Sequence, residues 1–232
     1  MVQPTIVFDL DGTLVDSAPD LIDTLNAIFA REGLPAVPYE QARALIGGGA
    51  KVMIARGLAA EGRAAKPEQL DKLLLDFIGH YSARIAEKSR PFPGLEDVLD
   101  QLAGGGLRLA VCTNKLEALS VKLLKALGLA DRFAVICGQD TFGVQKPDPE
   151  MLRRTIAAAG GTTGAAIMVG DSETDIRTAQ AAGVPIVAVS FGYTPRPVAE
   201  FHPDRVIDHF RDLPAAIAQL TGRLRVPSQQ RG

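Results

Sequence analysis

The 232-residue chain is 47% hydrophobic and 22% charged, with a formal net charge of −2 and no Trp. That length suits one large domain or a core with a smaller insert, and the near-neutral balance offers no basic field for nucleic acid or another polyanion. No apolar run approaches the roughly 20 residues of a membrane span, and "MVQPTIVFDL" has no cationic segment before a long apolar one, so a cytoplasmic protein without a membrane partner is expected.

In chain order, Thr5–Leu10 reads as a buried strand. It runs into "VFDLDGTLVDS", where Asp9 and Asp11 stand two residues apart ahead of Gly12 and Thr13. From about Ala18 to Lys88 only helical apolar spacing is found, over Pro19–Arg31, Tyr39–Ile46, Ala50–Ala60 and Pro67–Ile85, interrupted by Gly47, Gly48 and Gly49. That block is too long for one crossover, and it returns near "RPFPGLEDVL", stiffened by Pro91 and Pro93.

Beyond it, strands at Arg108–Cys112, Ala134–Cys137, Ala165–Val169 and Pro185–Ser190 alternate with helices at Glu117–Leu127, Pro149–Ala159 and Glu173–Ala182. Asp148 is the expected N-cap of the second of these helices, and Gly128, Gly160 and Gly183 stop the three. Asp204–Ile207 reads as an edge strand, Asp212–Leu220 as a last helix and "RVPSQQRG" as a frayed tail. The two cysteines, Cys112 and Cys137, sit in apolar runs and read as core residues rather than a disulfide or metal pair.

The expected fold class is therefore α/β: a Rossmann-like parallel sheet with helices on both faces, plus an all-α domain inserted after the first strand. The division is placed at 1–16 and 89–232 for the core and 17–88 for the insert. Ligands of such sheets bind beyond the carboxyl ends of the strands. There the sequence places Asp9 and Asp11, then Thr113-Asn114-Lys115, then Lys146, then Asp171 with Asp175 one helical turn on. Carboxylates so close persist when a cation compensates them. Asp9, Asp11 and Asp171 offer hard oxygen ligands without His or Cys, which favours Mg2+ over zinc. Thr113, Asn114 and Lys146 supply donors and a charge for a phosphate.

These segments resemble the haloacid dehalogenase superfamily of aspartate-nucleophile phosphohydrolases over nearly the whole chain. "DLDGTLVDS" matches its first motif, Thr113 in "VCTNK" its second, Lys146 in "QKPDPE" its third and "GDSETDI" its fourth. The resemblance implies that the insert is a helical cap, Asp9 the nucleophile, and Asp11 the general acid and base, its backbone carbonyl facing the metal. It implies Thr113 and Lys146 around the transferring phosphoryl group, Asp171 as acidic metal ligand, and Asp175 reaching the metal through water or positioning Lys146. Halide-expelling members lack the second Asp, so Asp11 argues for ester chemistry. Within the superfamily, "ARALIGGGAK", "QKPDPEML" and "FGYTPRP" followed by "PDRVIDHF" are most similar to bacterial phosphoglycolate phosphatases.

The expectation is a Mg2+-dependent phosphate monoester hydrolase working through an aspartyl phosphate on 2-phosphoglycolate. Gly48 and Gly49 would supply backbone N–H groups, and Lys51 or Arg43 charge, for the substrate carboxylate. The alternatives are a β-phosphoglucomutase-like phosphotransferase, a phosphatase for another small phosphorylated metabolite, and a phospho-accepting signalling module, in which the long insert has no place. The expected partner is a small phosphorylated metabolite, with no nucleic acid, and the chain a monomer or homodimer.

Overall fold

The computed structural model describes residues 3–64 and 66–221; the segment "RVPSQQRG" lies outside them. The first strand, β1 (Thr5–Phe8), is followed by a two-residue strand, β2 (Val15–Asp16). β1 stops short of Leu10 because the Leu10 carbonyl accepts from the N–H groups of Leu14 and Val15, both at 3.0 Å, closing a turn that carries Asp11 and Gly12.

Four helices come next: α1 (Ala18–Arg31), α2 (Tyr39–Arg43), α3 (Ala50–Ala60) and α4 (Pro67–Ala83). α1 and α3 pack on α4, burying Leu25, Ile28, Phe29, Ile54, Leu58, Leu73 and Phe77. α2 ends at Arg43 rather than Ile46, ahead of a glycine run in which Gly47 and Gly49 hold φ of 116° and 85°. α4 ends at Ala83 rather than Ile85, because Arg84 turns out of the helical region.

The chain re-enters the core through β3 (Arg90–Pro91), which pairs antiparallel with β2 in the register Val15↔Pro91 and Asp16↔Arg90. Asp20, buried in the first turn of α1, accepts from the N–H groups of Lys88 and Ser89 and from Ser89 Oγ. The two connections of the insert thus lie side by side and are tied together. Neither this hairpin nor the next helix, α5 (Leu95–Gly104), was among the sequence expectations. The signal for α5 was there: Leu95, Val98, Leu99 and Leu102 are its buried residues, at helical spacing.

The rest alternates as expected: β4 (Arg108–Cys112), α6 (Glu117–Ala126), β5 (Val135–Cys137), α7 (Pro149–Ala158), β6 (Ala166–Gly170), α8 (Glu173–Ala182), β7 (Ile186–Val189), β8 (Arg205–Ile207) and α9 (Leu213–Thr221). Asp148 caps α7, its carboxylate accepting from the Glu150 N–H. The main sheet has the order β5-β4-β1-β6-β7-β8, and every neighbouring pair is parallel.

Strand side chains alternate between two apolar layers, as the pleat requires. Ile6, Phe8, Leu109, Val111, Ile167 and Val169 enter the layer continuous with α5, α6, α9 and the helical insert. Val7, Ala110, Cys112, Ala166 and Met168 enter the other, under α7 and α8. Cys112 and Cys137 lie in register on adjacent strands, both buried and both free thiols. Among the described residues no helix is long and apolar enough to cross a membrane.

Candidate active site

β1 is the point at which strand order turns, with β4 on one side and β6 on the other. Connections diverge there and leave a crevice beyond the strand's carboxyl end. Asp9 sits in it, its N–H donating to the Val169 carbonyl at 2.9 Å. Carboxylate oxygens of Asp9, Asp171 and Asp175 all lie within 4.8 Å of one another, and all three residues are buried. Lys146 Nζ stands between them, 2.8 Å from Asp9 Oδ1 and 2.6 Å from Asp175 Oδ1.

Three carboxylates facing one ammonium leave negative charge uncompensated in a buried site. Burial, opposed by Lys146, pushes the Asp9 carboxyl above the ordinary carboxylate range. Burial also raises Asp171, with the charges of Asp175 and Asp9 adding to it. For Lys146 burial works against the ammonium, but the charges of Asp175 and Asp9 outweigh it and hold the group protonated. An all-oxygen donor set of this kind, with surplus negative charge, fits a hard divalent cation.

The backbone is shaped around Asp171. Its carboxylate accepts from Thr13 Oγ1 at 3.0 Å and from the Tyr193 N–H at 2.8 Å. Gly12 has φ of 86°, and a Cβ there, as at Gly192, would collide with the Asp171 carboxylate. Asp175 closes a capping box with Ser172 at the start of α8, which fixes the rotamer that meets Lys146.

The Asp11 carboxylate points elsewhere. It accepts from Lys115 Nζ at 2.9 and 3.0 Å and from Ser17 Oγ at 2.6 Å, on the side of the helical insert. Thr113 Oγ1 accepts from the Lys115 N–H at 3.2 Å. Asn114 is committed to the protein: its Nδ2 donates to the Lys146 carbonyl at 3.0 Å and its Oδ1 accepts from the Lys146 N–H at 2.9 Å. It clamps the segment that presents Lys146.

A cavity of about 140 Å³ opens beside these groups, lined by Asp9, Asp11, Thr113 and Asn114 from the core and by Gly47 and Gly49 from the insert. Gly48 faces a separate crevice with Asp171 and Ser172. Lys51 is not brought into either; its ammonium pairs with Asp71 at 2.5 Å on the exposed surface. Arg43 is not in the cavity either. It crosses to the core, donating to the carbonyls of Phe191 and Gly192 at 3.2 and 3.0 Å and lying 5.3 Å from the centre of the Tyr193 ring.

Two residues of this site went unassigned in the sequence. Lys115 was placed with Thr113 and Asn114 at a strand's carboxyl end but given no role, and that position was its signal. Tyr193 had none. Its hydroxyl accepts from the N–H groups of Ser17 and Ala18 at 2.7 and 3.0 Å and donates to Asp16 Oδ1 at 2.7 Å, capping α1 from the far end of the chain.

A family model described as haloacid dehalogenase-like hydrolase matches residues 6–189. The chain belongs to the haloacid dehalogenase-like hydrolases. It is 51% identical over 219 residues to a phosphoglycolate phosphatase of Mesorhizobium japonicum, covering 94% of this chain and 96% of that one. It is 47% identical over 216 residues to a phosphoglycolate phosphatase of Caulobacter vibrioides, covering 93% and 91%. Among solved structures, one described as "a predicted phosphoglycolate phosphatase" from Haemophilus somnus superposes with a TM-score of 0.86 at 29% identity, covering 93% and 98%. CbbY from Rhodobacter sphaeroides, in complex with phosphate, gives 0.77 at 28% identity, covering 92% and 96%. The chain is accordingly an enzyme, a phosphoric monoester hydrolase of this family.

Proposed function

We propose that the substrate is 2-phosphoglycolate, that hydrolysis passes through a phosphoryl group on Asp9, and that Mg2+ is the cofactor. The observation that carries the mechanism is the setting of Asp9: a buried carboxylate at the switch point, held against Lys146, with a second carboxylate, Asp11, two residues away, lining the same cavity and bonded to Lys115.

An Asp9 oxygen attacks phosphorus and the bond from phosphorus to the ester oxygen breaks. The electron pair leaves with that oxygen, which takes a proton from Asp11. Water then gives its proton to Asp11 and its oxygen bonds phosphorus. The bond from phosphorus to Asp9 breaks, releasing phosphate and restoring the carboxylate. Lys146 and the Thr113 hydroxyl bind the phosphoryl oxygens, reducing repulsion between two anions. Asn114 keeps Lys146 in place through its two backbone bonds. Mg2+ would be held by Asp9, Asp171 and the Asp11 backbone carbonyl, with Asp175 beside them. When bound it supplies positive charge to the transferring group.

The substrate reading is supported by the names of the relatives at 51% and 47% identity and by the small volume beside Asp9. A phosphosugar mutase fits less well: Leu21, Met53, Leu74 and Phe77 line that space and offer sugar hydroxyls no partner, leaving Tyr81, Lys115 and Gln139 as the polar side chains beyond the reacting groups. We further propose that residues 17–88 act as the cap, moving against the core about the paired connections at β2 and β3. The test is phosphate release from phosphoglycolate and from glucose 1-phosphate, with isomerisation of the latter followed in parallel. Phosphoglycolate is expected to have the higher kcat/KM, and Asp9→Asn to abolish release in a protein that still melts cooperatively. Full activity in that variant refutes the mechanism; a better hexose phosphate refutes only the substrate.

A further inference from the structure

The cavity beside Asp9 and Asp11 has three lining side chains with polar groups to which the reaction scheme gives no task, Tyr81, Lys115 and Gln139. Its insert side is built from Met53, Leu74, Phe77 and Ile78, which offer a ligand no hydrogen bond. Tyr81 belongs to that wall. Tyr81 is 1% exposed, and its hydroxyl is buried beside the Lys115 ammonium without a well-formed hydrogen bond to any other group. Buried hydroxyls nearly always have one, so the group is set for something that arrives. Next to it is Lys115, its side chain 6% exposed and its Nζ 4.4 Å from the centre of the Tyr81 ring.

An ammonium has three donors, and two of its contacts go to the Asp11 oxygens at 2.9 and 3.0 Å. Asp11 is also held by Ser17 Oγ at 2.6 Å, so it keeps a donor when Lys115 turns toward a ligand. The other cations considered for the substrate are engaged elsewhere. Lys146 faces Asp9 and Asp175, on the side of the phosphoryl group, Lys51 pairs with Asp71 on the surface, and Arg43 is bonded to the carbonyls of Phe191 and Gly192.

Resting on the phosphatase reading above, we infer that Lys115 and the Tyr81 hydroxyl form the leaving-group subsite, and that they take the carboxylate of a short phosphorylated acid. The placement sets the length of that acid. Lys115 touches Asp11, the group that protonates the ester oxygen, so the carboxylate it binds lies within a few bonds of that oxygen. A two-carbon phospho-acid satisfies both contacts at once. A neutral alcohol of the same size leaves the phenol unpaired and brings no counter-charge to the ammonium, and such unmet polar groups are what reject a wrong substrate.

The test compares phosphoglycolate with ethyl phosphate, the same two-carbon ester without the carboxylate. The readouts are the ratio of their kcat/KM values and inhibition by glycolate. A thermal melt with and without Mg2+ reports that each variant is folded and takes up metal. In Tyr81→Phe the ratio is expected to fall about tenfold, and in Lys115→Met on the order of 100-fold, the worth of hydrogen bonds to a charged group. The inhibition constant of glycolate should rise by matching factors. A side chain that merely supports the fold lowers both esters in proportion and leaves the ratio unmoved. A wild-type preference for phosphoglycolate that survives in both variants overturns the subsite and leaves the phosphatase reading intact. A wild-type enzyme with no such preference overturns the substrate reading, and this inference with it.

Discussion

Replacing Asn114 by Ala separates two accounts of that residue. As a phosphate ligand it would affect turnover alone. In the structure its amide instead bonds the N–H and C=O of Lys146, at 2.9 and 3.0 Å, in buried surroundings. Truncation leaves both backbone groups without partners. At about 1–3 kcal/mol for each unsatisfied buried group, the loss is about 2–6 kcal/mol. For a chain of this size that corresponds to a fall in melting temperature of roughly 4–24 °C. The loosened segment also carries the ammonium that faces Asp9, so kcat should drop by about 10²–10³, the usual worth of one well-placed electrostatic contact. The assay is a thermal melt run alongside steady-state phosphate release, with Asn114→Asp as a companion. Asp retains the acceptor for the Lys146 N–H but loses the donor to its carbonyl, so it should fall between Ala and wild type in stability. An Asn114→Ala protein that melts within about 2 °C of wild type while losing activity refutes the clamp, because a loss near 0.5 kcal/mol does not accommodate two orphaned buried groups.

Tyr193→Phe removes the hydroxyl that caps α1 at Ser17 and Ala18 and should lower stability by about 1–2 kcal/mol in a denaturant titration, as loss of a helix cap does; an unchanged midpoint would sink that role. Lys51→Ala breaks an exposed pair with Asp71; it should change stability by less than about 1 kcal/mol and leave KM for phosphoglycolate within about twofold, since the side chain lies away from the cavity. A large rise in KM would restore Lys51 to the substrate site. Mg2+ should raise the melting temperature more as pH increases. Burial raises the Asp9 pKa from 3.8 to about 6, so the fold favours the protonated acid. In metal-free protein the resulting stability is present below the lower value and is lost as pH rises through the higher one. Mg2+ binds the ionised form, so its shift should be small near pH 5 and grow toward pH 8; a shift that stays flat over that interval refutes the acidic site. With EDTA, turnover should cease.

The core was legible because its signals are local. Short apolar runs, helix stops such as Gly183, and the polar residues at each strand end lie close together in the chain, and each follows from period and turn chemistry. β4, α3 and α8 begin and end where the apolar pattern does. Acidic residues on two separate strand ends were enough to bring Asp9 and Asp171 to one edge, because parallel strands share a carboxyl end.

Orientation was decided only when the insert packed on the core. Asp9 and Asp11 look equivalent in the chain, yet one faces Lys146 and the other faces Lys115 and Ser17. Lys51 and Arg43 flank a glycine loop in the sequence. α3 turns Lys51 toward Asp71 on α4, while Arg43 reaches residues 148 and 149 positions away. Tyr193 meets Ser17 across 176 residues. A local pattern records which side chains an element buries; it does not record which distant polar atoms meet them there. Those partners depend on how two separately formed layers dock, and a buried polar group takes whichever complement that docking brings within reach.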